Sequence, residues 1–76
     1  MPRNSGGLEN NLKQARNRVG LTQSELARQA GISRQAYSSL ESGAANPSTE
    51  VALRLAQALS ERVESLFYLQ EGRPAA

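Results

Sequence analysis

Apolar residues recur at helical spacing along most of this chain. Leu8, Leu12, Ala15 and Val19 stand four, three and four positions apart, which predicts a first amphipathic helix over residues 8–19, ended by Gly20. Leu26, Ala27 and Ala30 share one face of a second helix. Thr22 followed by Glu25 forms a capping box, so that helix should begin at Gln23, and Gly31 should end it in a left-handed turn. Ser33 can cap a third helix that buries Tyr37 and Leu40. After the turn signal Gly43-Ala44-Ala45-Asn46-Pro47, Ser48 can cap a fourth helix over residues 49–59. Ala52, Leu55, Ala56 and Leu59 would be its buried side, and Glu50 favours its N-terminal dipole. A break at residues 60–63 precedes a short fifth helix over 64–69.

The second and third helices are joined by a short turn carrying Gly31, and small Ala27 and Ala30 let them cross closely. Two helices crossing steeply over so short a turn make a helix-turn-helix, whose second helix enters the DNA major groove. Residues 1–7 (Met-Pro-Arg-Asn-Ser-Gly-Gly) offer nothing to bury and predict a disordered arm. Arg3 there is either solvated or within reach of a phosphate or the minor groove. Residues 70–76, with Gly72 and Pro74, predict a fraying tail, which leaves one domain at 8–69.

Composition narrows the chemistry. Seventy-six residues support one small core. The chain has no cysteine, histidine or aspartate, and its carboxylates are seven scattered glutamates. Nucleophilic and general acid–base catalysis both lack their usual residues, and no metal-ligand spacing exists. Glu61 and Glu64, the nearest approach to a carboxylate pair, read as favourable charge beside a helix start. The expectation is a non-enzyme without cofactor. No apolar run nears the ~20 residues of a membrane span, so a cytoplasmic protein is expected.

Net charge is only +2, but it is unevenly spread. Residues 1–34 hold six basic groups against Glu9 and Glu25, giving +4, and residues 35–76 hold three against five glutamates, giving −2. That polarity either orients the domain toward a polyanion or is an uneven solvated surface.

The stretch LTQSELARQAGISRQAYSSLESG, Leu21 to Gly43, resembles the phage repressor and Cro-type (XRE-like) helix-turn-helix regulators. The match includes Leu21, Thr22, Gln23, Leu26, Ala27, Gly31, Ile32, Ser33, Leu40, Glu41 and Gly43. NPSTEVALRLAQALSERVESLF resembles the family's fourth and fifth helices at Pro47, Leu55, Ala56, Ala58, Leu59, Leu66 and Phe67. The resemblance spans about Leu8 to Phe67. It implies an all-α, compact five-helix, lambda-repressor-like domain with the helix-turn-helix at helices 2 and 3.

The same resemblance implies roles. Gln23 would bond a DNA phosphate and brace the recognition helix. Ser33, Arg34, Gln35 and Ser39 would face base edges or nearby backbone, and Ser38 a phosphate. Arg16 and Glu41 match a partly buried ion pair. The chemistry of Arg34 and Gln35 agrees independently, since arginine pairs with guanine and glutamine with adenine. Ala36 either packs a thymine methyl or fills the helix crossing. Tyr37 stands where relatives usually carry an aliphatic residue and is expected in the core with its hydroxyl reaching the surface. Two departures stand out: the loop Ala44-Ala45-Asn46 lacks the usual basic residues, and Ser60 replaces a common glycine. The first predicts weak binding by one isolated domain, since each lost phosphate contact lowers the salt dependence.

One such domain covers about half a site, so a homodimer on a double-stranded operator is expected. Leu53, Val63, Phe67, Tyr68 and Leu69 exceed what one core needs and are the candidate dimer face. The competing reading is an antitoxin-like or adaptor module with weak or no DNA binding, which the uncharged loop favours. The chain reads equally as a short regulator or as the DNA-binding piece of a longer one. No constellation points to a small-molecule effector.

Overall fold

The computed structural model describes residues 7–70, in the order β1 (Leu8–Asn10), α1 (Leu12–Val19), α2 (Gln23–Ala30), α3 (Arg34–Ser42), α4 (Thr49–Leu59), α5 (Val63–Leu66) and β2 (Phe67–Leu69). The expected disorder of residues 1–6 and 71–76 falls outside the described residues. Leu12, Leu26, Tyr37, Leu55 and Leu66 are fully buried, and Leu40, Leu59 and Phe67 close the core around them. At about 25 cal/mol per Å² of buried apolar surface, such side chains supply most of the drive to fold.

Local signals set the middle helices. Thr22 Oγ1 accepts from the Glu25 amide at 3.1 Å while Glu25 Oε1 accepts from the Thr22 amide at 2.8 Å, completing the capping box. Ser33 and Ser48 cap α3 and α4 in the same manner, accepting from Ala36 N at 3.0 Å and Val51 N at 3.1 Å. At Gly31, φ is +76°, the left-handed conformation that lets the chain leave α2 and enter α3 after only three residues. No heavy atom lies within 4 Å of where a Cβ would stand there, so backbone conformation alone favours glycine.

The ends differ from a purely helical chain. Leu8 begins no helix. Residues 8–10 form a strand antiparallel to residues 67–69, in register Leu8↔Leu69, Glu9↔Tyr68 and Asn10↔Phe67, and Gln70 N extends the ladder to Gly7 O at 3.2 Å. The all-α expectation is therefore corrected to a mostly helical domain with a two-stranded sheet. Gly7 and Gln70, expected in the free ends, are held by that bond. The cause is the pair Asn10-Asn11. Asn10 Oδ1 accepts from Leu12 N at 3.0 Å and its Nδ2 donates to Leu40 O at 3.0 Å, while Asn11 N donates to Leu66 O at 2.9 Å. Asparagine side chains competing for backbone groups start α1 four residues late. The fifth helix also stops at Leu66, because Phe67-Tyr68-Leu69 finds a partner strand.

Val19 is corrected too. It lies on the helical stripe but is 48% exposed, as the last residue of α1, outside the core that Leu12 and Ala15 join. Ser60 adopts φ +54°, making it the one non-glycine residue in the left-handed region among the described residues.

Candidate nucleic-acid interface

At the heart of the helix-turn-helix is one carboxylate. Glu41, on the inner side of α3, accepts from Arg16 Nε at 2.9 Å and from Tyr37 Oη at 2.6 Å through Oε2. Its Oε1 accepts from Gln23 Nε2 at 2.8 Å and Arg16 Nη2 at 3.3 Å. Arg16 also donates through Nη1 to Leu21 O at 3.0 Å, which ties the α1–α2 turn into the same cluster. Three helices thus meet at one acceptor. Burial pushes the Glu41 carboxyl up, but the bonds from Arg16, Tyr37 and Gln23 outweigh it and hold the group below the ordinary carboxylate range. Burial, and then the neighbouring Glu41, pushes the Tyr37 phenol above its usual value. The bond to Glu41 likewise raises the Arg16 guanidinium. Carboxylate and guanidinium are both ionised, and the phenol is neutral.

Tyr37 is a correction. Its ring is in the core as expected, but at 0% exposure its hydroxyl turns inward to Glu41 and does not reach the surface. The i, i+4 spacing of Tyr37 and Glu41 on one helix was a signal for this contact. Gln23, half-buried at the first turn of α2, was expected to brace the recognition helix, and its amide bonds Glu41 of α3 directly.

The leading turn of α3 is bare. Arg34, Gln35 and Ala36 are exposed, and among the described residues neither Arg34 nor Gln35 makes a side-chain hydrogen bond or ion pair. Exposure of Ala36 removes the reading in which it fills the helix crossing. Ser33 is exposed with its oxygen accepting from the Ala36 amide, so its hydroxyl proton is what remains to offer. Ser38 and Ser39 are half-buried along the same helix. Arg34 and Gln23 also line an open polar cleft of about 520 Å³ with Asn17, Thr22 and Ser24, so the first turns of α2 and α3 share one surface. Three exposed arginines are paired: Arg18 with Glu61 at 2.8 Å, Arg54 with Glu50 at 2.7 Å and Arg62 with Glu64 at 3.7 Å. Glu61, expected to serve a helix start, instead pairs with Arg18 of α1. Lys13, Arg28 and Arg34, all in the front half, form no ion pair among the described residues.

A family model described as Helix-turn-helix matches residues 12–66, from the first residue of α1 to the last of α5. The chain belongs to the XRE-type helix-turn-helix family. This is a family of DNA-binding transcriptional regulators, not of enzymes. An uncharacterised HTH-type transcriptional regulator of Methanothermobacter thermautotrophicus is 43% identical over 61 residues, covering 79% of this chain and 88% of the relative. The uncharacterised HTH-type regulator YgzD of Bacillus subtilis is 34% identical, covering 84% and 97%. Among solved structures, the restriction-modification controller protein C.AhdI of Aeromonas hydrophila superposes with a TM-score of 0.67 at 33% identity, covering 71% of this chain and 82% of that one. The N-terminal DNA-binding domain of SinR from Bacillus subtilis gives 0.66 at 33% identity, covering 71% and 80%.

On the far side of this helix-turn-helix chain, the five dimer candidates do not all meet. Leu53, Val63 and Phe67 line an apolar groove of about 250 Å³ with Leu8, Pro47 and Ala52. Leu69 is 54% exposed and lies across the ladder from Leu8. Tyr68 is on the other face of the ribbon by strand alternation, its hydroxyl 3.4 Å from Asn11 Oδ1. Phe67 is buried and closes the core, whereas Leu53 is 57% exposed. Among the described residues no helix is long and apolar enough to cross a membrane.

Proposed function

We propose that this chain is a sequence-specific transcriptional regulator, a repressor, that binds operator DNA as a homodimer and reads the major groove with α3. The observation carrying this reading is the bare leading turn of α3, where Arg34 and Gln35 stand exposed with no side-chain partner among the described residues. Among the described residues Arg34 and Arg28 alone of the arginines lack an ion pair, and of the two Arg34 stands on α3, where its guanidinium is available for the O6 and N7 of guanine. Gln35 is the matching reader of adenine, while Ser33 and Ser39 approach bases or backbone. Gln23 and Ser38 take phosphates, with Gln23 already half-committed to Glu41. The roles of the similar solved structures, a restriction-modification controller protein and a DNA-binding domain, support the same reading.

Dimerisation rests on the apolar groove and on Leu53 and Leu69 beside it, with Val63 and Phe67 as its floor and Tyr68 at most peripheral. Two copies related by a two-fold axis would set their α3 helices on half-sites about 10 bp apart. The testing experiment is selection of bound sequences from random duplex DNA, with a sizing run on the protein alone. A two-fold symmetric consensus and a dimer are expected. No enrichment, together with no shift of random duplex even at low salt, would replace this reading with a protein-interaction module, which the exposed, uncharged Ala44-Ala45-Asn46 loop would suit.

A further inference from the structure

We infer that the Tyr37 hydroxyl is a positioning group for DNA affinity: through Glu41 it fixes the amide of Gln23, so that Gln23 meets the phosphate backbone already oriented. This rests on the proposed DNA-binding reading. The geometry is a chain of two bonds through one carboxylate, Tyr37 Oη to Glu41 Oε2 at 2.6 Å and Gln23 Nε2 to Glu41 Oε1 at 2.8 Å. Tyr37 is wholly buried on α3, while Gln23 is half-buried on α2 and lines the open cleft shared with Arg34. Glu41 is therefore addressed from inside by the phenol and from the surface by the glutamine.

The phenol takes up a lone pair on the same oxygen that receives Arg16 Nε. With it, both carboxylate oxygens have two donors, and the plane of the group is set. A set carboxylate holds the Gln23 nitrogen, not its oxygen, inward. That nitrogen has a second hydrogen, and the cleft is the side left open to it. Without the phenol the carboxylate has one donor fewer and its plane is free to rock, the Gln23 amide rocks with it, and its orientation would have to be fixed during binding. An aliphatic residue at position 37 would fill the core equally well but leave Glu41 one donor short. A purely structural role for the hydroxyl predicts lost stability alone.

The test is a double-mutant cycle on affinity for a random-sequence duplex, using the full chain. Tyr37→Phe should weaken binding about two- to ten-fold, and Gln23→Ala by roughly ten-fold or more, as for losing a bond to a charged group. The double variant should bind like Gln23→Ala alone, because Tyr37 then has nothing to position. If the two effects multiply, or if Tyr37→Phe binds as tightly as the parent, the inference is overturned. Amide NMR of the DNA-free protein supplies a second arm that separates this from the function itself. The Gln23 side-chain NH₂ signals should move in Tyr37→Phe, and the Tyr37 ring signals should move in Gln23→Ala. Should the parent chain bind no duplex at all, the DNA reading falls while these shifts still decide the coupling. Should Tyr37→Phe not fold, unmoved ring signals in Gln23→Ala overturn the coupling and moved ones support it.

Discussion

Two arginines make the most instructive comparison in this molecule. Arg16 of α1 donates three bonds to Glu41 and Leu21 and is largely withdrawn from solvent. Arg34, at the first turn of α3, donates none among the described residues and is exposed. The side chains are chemically identical and flank the same cleft. Arg16 is committed to holding three helices in one arrangement, and Arg34 has no partner among the described residues, which under the proposed function leaves it for a base edge. The domain commits its buried polar chemistry to geometry and leaves the two side chains that open α3 to solvent.

Breaking the committed side should have the largest effect. Glu41→Ala leaves Arg16 and the Tyr37 hydroxyl without their acceptor, and a destabilisation of about 3–5 kcal/mol is expected in denaturant unfolding, enough to unfold much of so small a domain. Acid should do part of this reversibly. The Glu41 carboxyl is held below its ordinary range, so its contribution is fully present above the pH at which a free glutamate titrates. It is lost as pH falls through the lowered folded value. Thermal midpoints should therefore drop on acidification, and Glu41→Gln should flatten that slope. Exposed Glu25, also lowered, first by the Thr22 amide, adds to the slope in the parent and in the variant alike.

The free side should behave oppositely. Arg34→Ala is expected to leave the melting midpoint unchanged while costing about 1–3 kcal/mol of discrimination at one base pair in competition binding. An Arg34→Ala protein that melts lower, or that keeps the parent's full sequence preference, would erase the division of labour between the two arginines. The smallest effect lies away from both. Ser60→Gly relieves a left-handed serine and should stabilise the domain by about 1 kcal/mol without changing DNA affinity. That variant sets the scale for a change that touches geometry but neither network.

The fold was most readable where local chemistry decides. Thr22-Glu25, Ser33 and Ser48 each cap the helix that their position announced, and Gly31 takes the left-handed conformation that the turn requires. These interactions span three or four residues, so sequence order places their partners within reach. The ends misled for the opposite reason. Leu8 continues the helical stripe and Phe67-Tyr68-Leu69 could extend a helix, and only the encounter of segments nearly sixty residues apart makes them strands. Asn10-Asn11 carried the one local hint, as a pair of residues that bond the backbone from outside a helix.

The candidate site divides in the same way. Exposure of Gln35 follows from its place opposite Tyr37 and Leu40 on a helix whose period is known from sequence alone, whereas Arg34, one turn before Tyr37, is exposed as the first residue of that helix. The direction of the Tyr37 hydroxyl does not follow. An outward phenol and an inward one share the same periodicity, and the choice depends on whether a buried acceptor stands nearby. Helical order, caps and the two faces of α3 were thus determined by the sequence itself, because each depends on neighbours a turn away. The terminal sheet, the exposure of Val19 and the convergence of Arg16, Gln23 and Tyr37 on Glu41 were decided only by tertiary structure. Each depends on which distant surface arrives, and hydrogen bonds reward that arrival only at distances of about 3 Å.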